Sequence, residues 1–242
     1  MYQLYRKSPL GFGLAWIGIY CVLQSAGNFL SEKIGIYESA NAFFAVLQTV
    51  FIIWWMNKKD LMKVYGLTRP KQPAGKMLYY LPLIIISTSN LWLGVKMNLD
   101  PAELAVHVVL MLCVGFLEEL FVRGFIFEAL AKDSLKSAVV ISSLAFGAAH
   151  VMNLFNGRGM DVTQVIFQII MAVILGFFFV MIYLYSGSLW PVILSHSCIN
   201  ILSAFADKEA LSVQNHIVVQ LLELIIIALY LFYLKKNVKI LR

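Results

Sequence analysis

Eight apolar runs, near residues 10–30, 40–56, 77–95, 104–131, 137–153, 164–186, 189–206 and 217–234, take up most of this chain. A bilayer core about 30 Å thick needs roughly 20 helical residues to cross it. Only helices and closed barrels satisfy their backbone groups there. The runs therefore predict an all-α, polytopic transmembrane helical bundle of about eight spans, with 40–56 and 137–153 at the short limit. Composition agrees: 61% of the 242 residues are hydrophobic and mean hydropathy is +0.81. Only 13% are charged, against about 25% in soluble domains. No linker, low-complexity tract or internal repeat divides the chain, so residues 1–242 read as a single integral-membrane domain.

An even number of spans puts both termini on one side. If that side is cytoplasmic, fourteen Lys and Arg fall on inner segments and four on outer ones: Lys33, Lys96, Arg158 and Lys208. The positive-inside rule favours this orientation. The net charge of +6 then resides in the loop "NKKDLMKVYGLTRPKQPAGK" and the tail "KKNVKILR", suited to anionic lipid headgroups rather than nucleic acid. The basic start at Arg6 and Lys7, followed by an apolar run to "LQSAG", has the form of a signal peptide and is read as an uncleaved first span. Cys21, Cys113 and Cys198 all lie within spans and lack metal-type spacing, as expected of small buried apolar residues.

Against this background the stretch "FLEELFVRGF", residues 116–125, puts Glu118, Glu119 and Arg123 in mid-membrane. A charge there costs about 2.5–3.5 kcal/mol on insertion scales, and packing alone requires none of it. Glu119 and Arg123, at i and i+4, can pair on one face, while Glu118 lies about 100° round the helix without a local partner. Two further spans add polar groups. His150 closes "FGAAH", and His196 and Asn200 share a face in "HSCIN". At about 1.5 Å per residue, Glu118, His150 and Asn200 reach depths of about 20, 20 and 17 Å from the inner end of their helices, and His196 about 10 Å. The expected result is a polar intramembrane cavity. Such a set suits water-dependent acyl chemistry. Out of water Glu118 is a stronger base, His150 can share or orient the attacking water, and His196 and Asn200 can donate to an oxyanion. Ser195, Ser197 and Cys198 diverge from His196 round the helix, so covalent catalysis is the weaker reading.

These residues resemble the CPBP family: the CAAX proteases with the bacteriocin-processing and self-immunity proteins also called Abi proteins. Its pattern, E-E-x-x-x-R, F-x-x-x-H and H-x-x-x-N, stands here as Glu118-Glu119-x-x-x-Arg123, Phe146-x-x-x-His150 and His196-x-x-x-Asn200. The likeness covers about residues 115–202 and extends only loosely to "YGLTRP". It implies an intramembrane endopeptidase in which Glu118 and His150 activate water and His196 and Asn200 form the oxyanion hole. Glu119 and Arg123, with Phe146, would then support the site. It also implies a membrane-associated peptide or protein substrate, either prenylated or a leader, bacteriocin or signalling peptide. The compact size favours a bacterial plasma membrane. No cofactor is the favoured reading. Zinc on Glu118, His150 and His196 is the alternative, although "HExxH" is absent and the ligands would come from three helices.

Two other functions use similar residues. A proton-coupled transporter also places acids and histidines at mid-membrane, but no inverted repeat or paired broken helices support it. A non-catalytic bacteriocin-immunity or peptide-binding protein would keep the same constellation. Elsewhere plainer roles suffice: an interhelical hydrogen bond for Glu223, snorkelling or interface contacts for Glu128 and His107, a solvated outer loop for His216, a turn at "NGRG" (156–159), and lipid or interfacial positions for most aromatic residues.

Overall fold

A computed structural model describes residues 2–151, 162–207, 209–210 and 212–241. The expected turn at 156–159 and the cations Arg158, Lys208 and Arg242 lie outside the described residues. Among these residues the chain is all-α. Ten helices run in order: α1 Tyr2–Lys7, α2 Pro9–Ile34, α3 Ser39–Lys58, α4 Leu81–Ser87, α5 Pro101–Glu119, α6 Phe127–Leu130, α7 Leu135–Ala149, α8 Val162–Ser186, α9 Trp190–Leu202 and α10 Val213–Asn237. Local chemistry sets their starts. Ser8 accepts from the Gly11 amide with Pro9 in the first turn, and Asp100 and Glu103 make a reciprocal capping box before Pro101. Ser134 and Ser212 cap α7 and α10 in the same way.

Among the described residues five helices are long and apolar enough to cross a bilayer: Pro9–Ile34, Ser39–Lys58, Pro101–Leu130, Val165–Ser186 and Gln214–Asn237. The other three expected spans correspond to shorter apolar segments, Ala74–Ser87, Leu135–Ala149 and Trp190–Phe205. The 15 residues of α7 reach about 22 Å, less than the hydrocarbon core. The apolar run at 77–95 is broken because Leu78, Tyr79 and Tyr80 all adopt left-handed backbone angles. It ends early, with Val95 paired across to Ala206. At the other end of the chain, α10 begins at Val213, so His216 is helical and packs its ring 5.8 Å from that of Phe167 rather than lying in a solvated loop.

α5 is the central element. It packs on α3 and α9, while α2 pairs with α3, α7 with α8, and α10 with α4 and α8. Lipid tails are as apolar as leucine, so close backbone approach rather than hydrophobic burial holds such helices together. Gly115 is the extreme case: a Cβ there would lie 2.2 Å from Ser197 Oγ and 2.8 Å from the Ser197 amide nitrogen. The helix bearing the two glutamates thus touches the helix bearing His196 backbone to backbone. Outward-facing apolar side chains such as Val22 and Phe232 stay exposed, as lipid contact requires.

The basic loop after α3 does more than face headgroups. Leu61, Tyr65 and Leu67 are buried, the Gly66 carbonyl accepts from the Leu189 amide, and the Lys71 amide donates to the Ser186 carbonyl. The termini join it at the same end of the bundle. The Lys59 ammonium lies 4.5 Å from the Tyr2 ring centre, and Gln72 donates to the Lys239 carbonyl at 3.2 Å. Most of the positive charge is therefore collected on one face. Gly115→Ala is expected to cost about 1–3 kcal/mol through overpacking, read as a lower thermal midpoint in detergent.

Candidate active site

α5 does not stop at Glu119. The chain continues through a wide π-helical turn, Leu120–Ile126, into α6. Such turns are rare and often mark functional sites. The two adjacent glutamates meet different surroundings. Glu119 and Arg123 are fully buried, with Arg123 Nη1 3.0 Å from Glu119 Oε1, whereas the Glu118 side chain keeps 28% of its surface accessible. Glu119 is sealed in an ion pair. Glu118 is the carboxylate that a water or substrate can reach.

Arg123 ties three helices together. Its Nη2 donates to the Gly176 carbonyl on α8 at 3.3 Å, and its guanidinium lies 4.0 Å from the Phe146 ring centre on α7. A side chain at position 176 would crowd Ser143 and the guanidinium itself. Phe146 also meets His150 and His196 edge to face, each with ring centres 5.4 Å apart. Its ring therefore spaces both imidazoles from the cation.

Glu119 Oε1 accepts a second bond, from His196 Nδ1 at 2.8 Å. With Nδ1 donating to a carboxylate, His196 turns Nε2 towards Glu118, 3.8 Å from Oε2. Glu118 Oε1 accepts from the Tyr20 hydroxyl at 2.8 Å, a partner on α2 that no local pattern singles out among eleven tyrosines. Position alone also concealed the Glu119–His196 bond, since the two residues lie on different helices.

The F-x-x-x-H motif falls at a helix end. α7 stops at Ala149, short of the expected 153, and His150 Nδ1 lies 3.0 Å from the Phe146 carbonyl. A carbonyl only accepts, so this nitrogen carries the proton and Nε2 is left as an acceptor. His150 is within electrostatic reach of Glu118, His196 and Arg123. Asn200 stands one turn beyond His196 on α9, half-buried, and its carboxamide makes no hydrogen bond among the described residues. Its backbone carbonyl accepts from Ser203 Oγ at 2.7 Å and from His107 Nε2 at 3.2 Å.

The other polar residues are accounted for separately. Ser195 Oγ lies 2.7 Å from Ser87 Oγ, and Ser197 packs on Gly115, so neither serves His196. Glu128 accepts from the Tyr183 hydroxyl and borders a cavity of about 350 Å³ on the basic face. Glu223 is buried beside Ser89. The cysteines are free and half-buried. Among the described residues no group of three or more His, Cys, Asp or Glu is arranged to hold a metal ion.

Removing Arg123 would leave Glu119 buried and uncompensated. Arg123→Leu is expected to lose about 3–5 kcal/mol. In thermal unfolding, the Glu119→Leu/Arg123→Leu double variant should lose less than the sum of the two single changes.

Comparison of the chain with curated proteins and with solved structures gives no match. Among family models, that of the type II CAAX prenyl endopeptidase Rce1-like family matches residues 100–202. That segment begins at the capping box of α5 and ends with α9, and so contains all three motifs. An integral-membrane helical bundle has formed around it. Residues 100–202 are accordingly similar to the Rce1-like type II CAAX prenyl endopeptidase domain, and with five helices apolar enough to cross a bilayer among the described residues the chain is an integral membrane protein.

Proposed function

We propose that this protein is a glutamate-dependent intramembrane endopeptidase. The observation that supports this best is the division of labour between adjacent carboxylates: Glu119 is consumed by Arg123 and His196, while Glu118 is reachable and faces His196 Nε2.

In this reading a water lies between Glu118 and the acceptor Nε2 of His150. Glu118 takes one of its protons as the oxygen bonds to the scissile carbonyl carbon. The carbonyl oxygen becomes an oxyanion, stabilised by the Asn200 amide and by His196, which in this scheme is an imidazolium with Nδ1–H on Glu119 and Nε2–H turned to the oxyanion. When the intermediate collapses, the C–N bond breaks and the leaving nitrogen takes the proton held by Glu118. Glu119 keeps the imidazole aimed throughout, and Arg123 holds Glu119 in place. Each proton taken from water is returned to a product, so this scheme uses no cofactor.

A membrane-associated peptide or protein is the substrate class that the family implies. The finer choice is between a prenylated CAAX sequence and a leader, bacteriocin or signalling peptide. Collection of the basic loops and both chain ends on one face supports a cytoplasmic position for the termini in a bacterial plasma membrane.

The test is cleavage of a quenched peptide library, including a prenylated CAAX peptide, by detergent-purified protein. Glu118→Ala should lower kcat by about 10²–10⁴-fold, and His196→Ala by about 10²–10³-fold. Neither loss should depend on a strong chelator. Activity abolished by chelator and restored by zinc would replace the metal-free scheme, and full cellular function in Glu118→Ala would favour peptide binding without hydrolysis.

A further inference from the structure

We infer that His107 and Glu38 form a positioning pair that fixes Asn200, and with it the end of α9, against α5. The catalytic consequence rests on the hydrolase reading above, whereas the geometric one does not.

His107 is buried on α5, about three turns before Glu118. Both ring nitrogens are engaged: Nδ1 lies 2.8 Å from Glu38 Oε2, and Nε2 lies 3.2 Å from the Asn200 carbonyl oxygen. A carbonyl offers no proton, so Nε2–H is the donor. The Nδ1 contact then holds one proton between imidazole and carboxylate, whichever of the two carries it. This fixes the ring's tautomer and orientation, as a carboxylate does for an imidazole elsewhere in enzymes.

Two further observations indicate that the arrangement is specific. Glu38 adopts φ 52°, in the left-handed region that disfavours a side chain, at the start of α3. The side chain is thus delivered from a strained loop position. The acceptor is also special. Asn200 lies in the last turn of α9, where the chain tightens into Ser203–Phe205. Carbonyls at a helix C-terminus welcome a donor or a positive charge. The neighbouring Ile199 carbonyl is held in the same way by Asn90 at 2.7 Å.

The α5–α9 interface then has three fixed points. His107 holds Asn200 at one end, Gly115 abuts Ser197 in the middle, and Glu119 holds His196 at the other end. From the other side the end of α9 is tied to the loop before α5, by Asn90 on the Ile199 carbonyl and by Lys96 and Asn98 on residues 204–206. The His107 contact is what ties the Asn200 carbonyl to α5 itself, the helix that carries Glu118, so the carboxamide of Asn200 keeps a constant place relative to Glu118. His107 touches no substrate; it acts through the backbone of Asn200.

The experiment compares wild type, His107→Leu, His107→Gln and Glu118→Ala in detergent. Hydrogen exchange is followed without substrate, and kcat and KM with the best peptide. Gln keeps a donor near the position of Nε2, whereas Leu keeps only the volume. In His107→Leu, exchange over residues 196–206 should quicken about tenfold while the other helices stay protected. Its kcat should fall about 10- to 100-fold with KM within about twofold, and His107→Gln should restore kcat to within about threefold of wild type. Unchanged exchange and unchanged kcat in His107→Leu would overturn the inference, as would a loss of protection spread evenly over all helices. If His107→Leu fails to fold, Glu38→Ala replaces it, with the same selective exchange expected and the same outcomes decisive. A wild type that cleaves nothing, or a Glu118→Ala that cleaves normally, overturns the hydrolase reading and leaves the exchange result to judge the His107 contact alone.

Discussion

The buried Glu119 carboxylate organises this molecule. Its Oε1 accepts from Arg123 Nη1 at 3.0 Å and from His196 Nδ1 at 2.8 Å. An ion pair sealed from water recovers its desolvation cost only with good geometry and further hydrogen bonds. The further bonds are what join the helices: Arg123 reaches the Gly176 carbonyl on α8 and covers Phe146 on α7, while His196 brings in α9. In lipid, where apolar packing gives little preference for one helix arrangement over another, such polar contacts select the arrangement. The same carboxylate that stabilises the bundle also turns His196 Nε2 towards Glu118.

Close packing makes the selection stringent. A methyl group at Gly115 would collide with the Ser197 backbone, and one at Gly176 would press on Ser143 and Arg123. The site thus lies where α5 meets α9 and α7 meets α8, and Glu118 alone among the three charged residues keeps an accessible flank. Stability and function are separated within one dipeptide: Glu119 is spent on the fold and Glu118 remains available for chemistry.

Much of this was legible in the sequence, for physical reasons. Ionisable residues are costly in a membrane, so those of "FLEELFVRGF" stood out, and i,i+4 spacing alone pairs Glu119 with Arg123. The F-x-x-x-H and H-x-x-x-N spacings identified His150, His196 and Asn200 as candidates. Hydropathy found the apolar segments but overcounted their reach. It could not register the left-handed backbone at Leu78–Tyr80 that breaks the third segment, or the end of α7 at Ala149. Nor could it separate His216, inside α10, from a loop residue.

The sequence by itself determined the solvent, the helical class and the identity of the charged residues, because composition and periodicity act over neighbouring positions. Only the tertiary structure decided their partners. Tyr20 meets Glu118 across 98 residues, His107 meets Asn200 across 93, and His196 meets Glu119 across 77. No local pattern encodes such distances. They arise when helices cross at fixed registers, set by glycines small enough to let backbones touch and by one carboxylate that must find two donors.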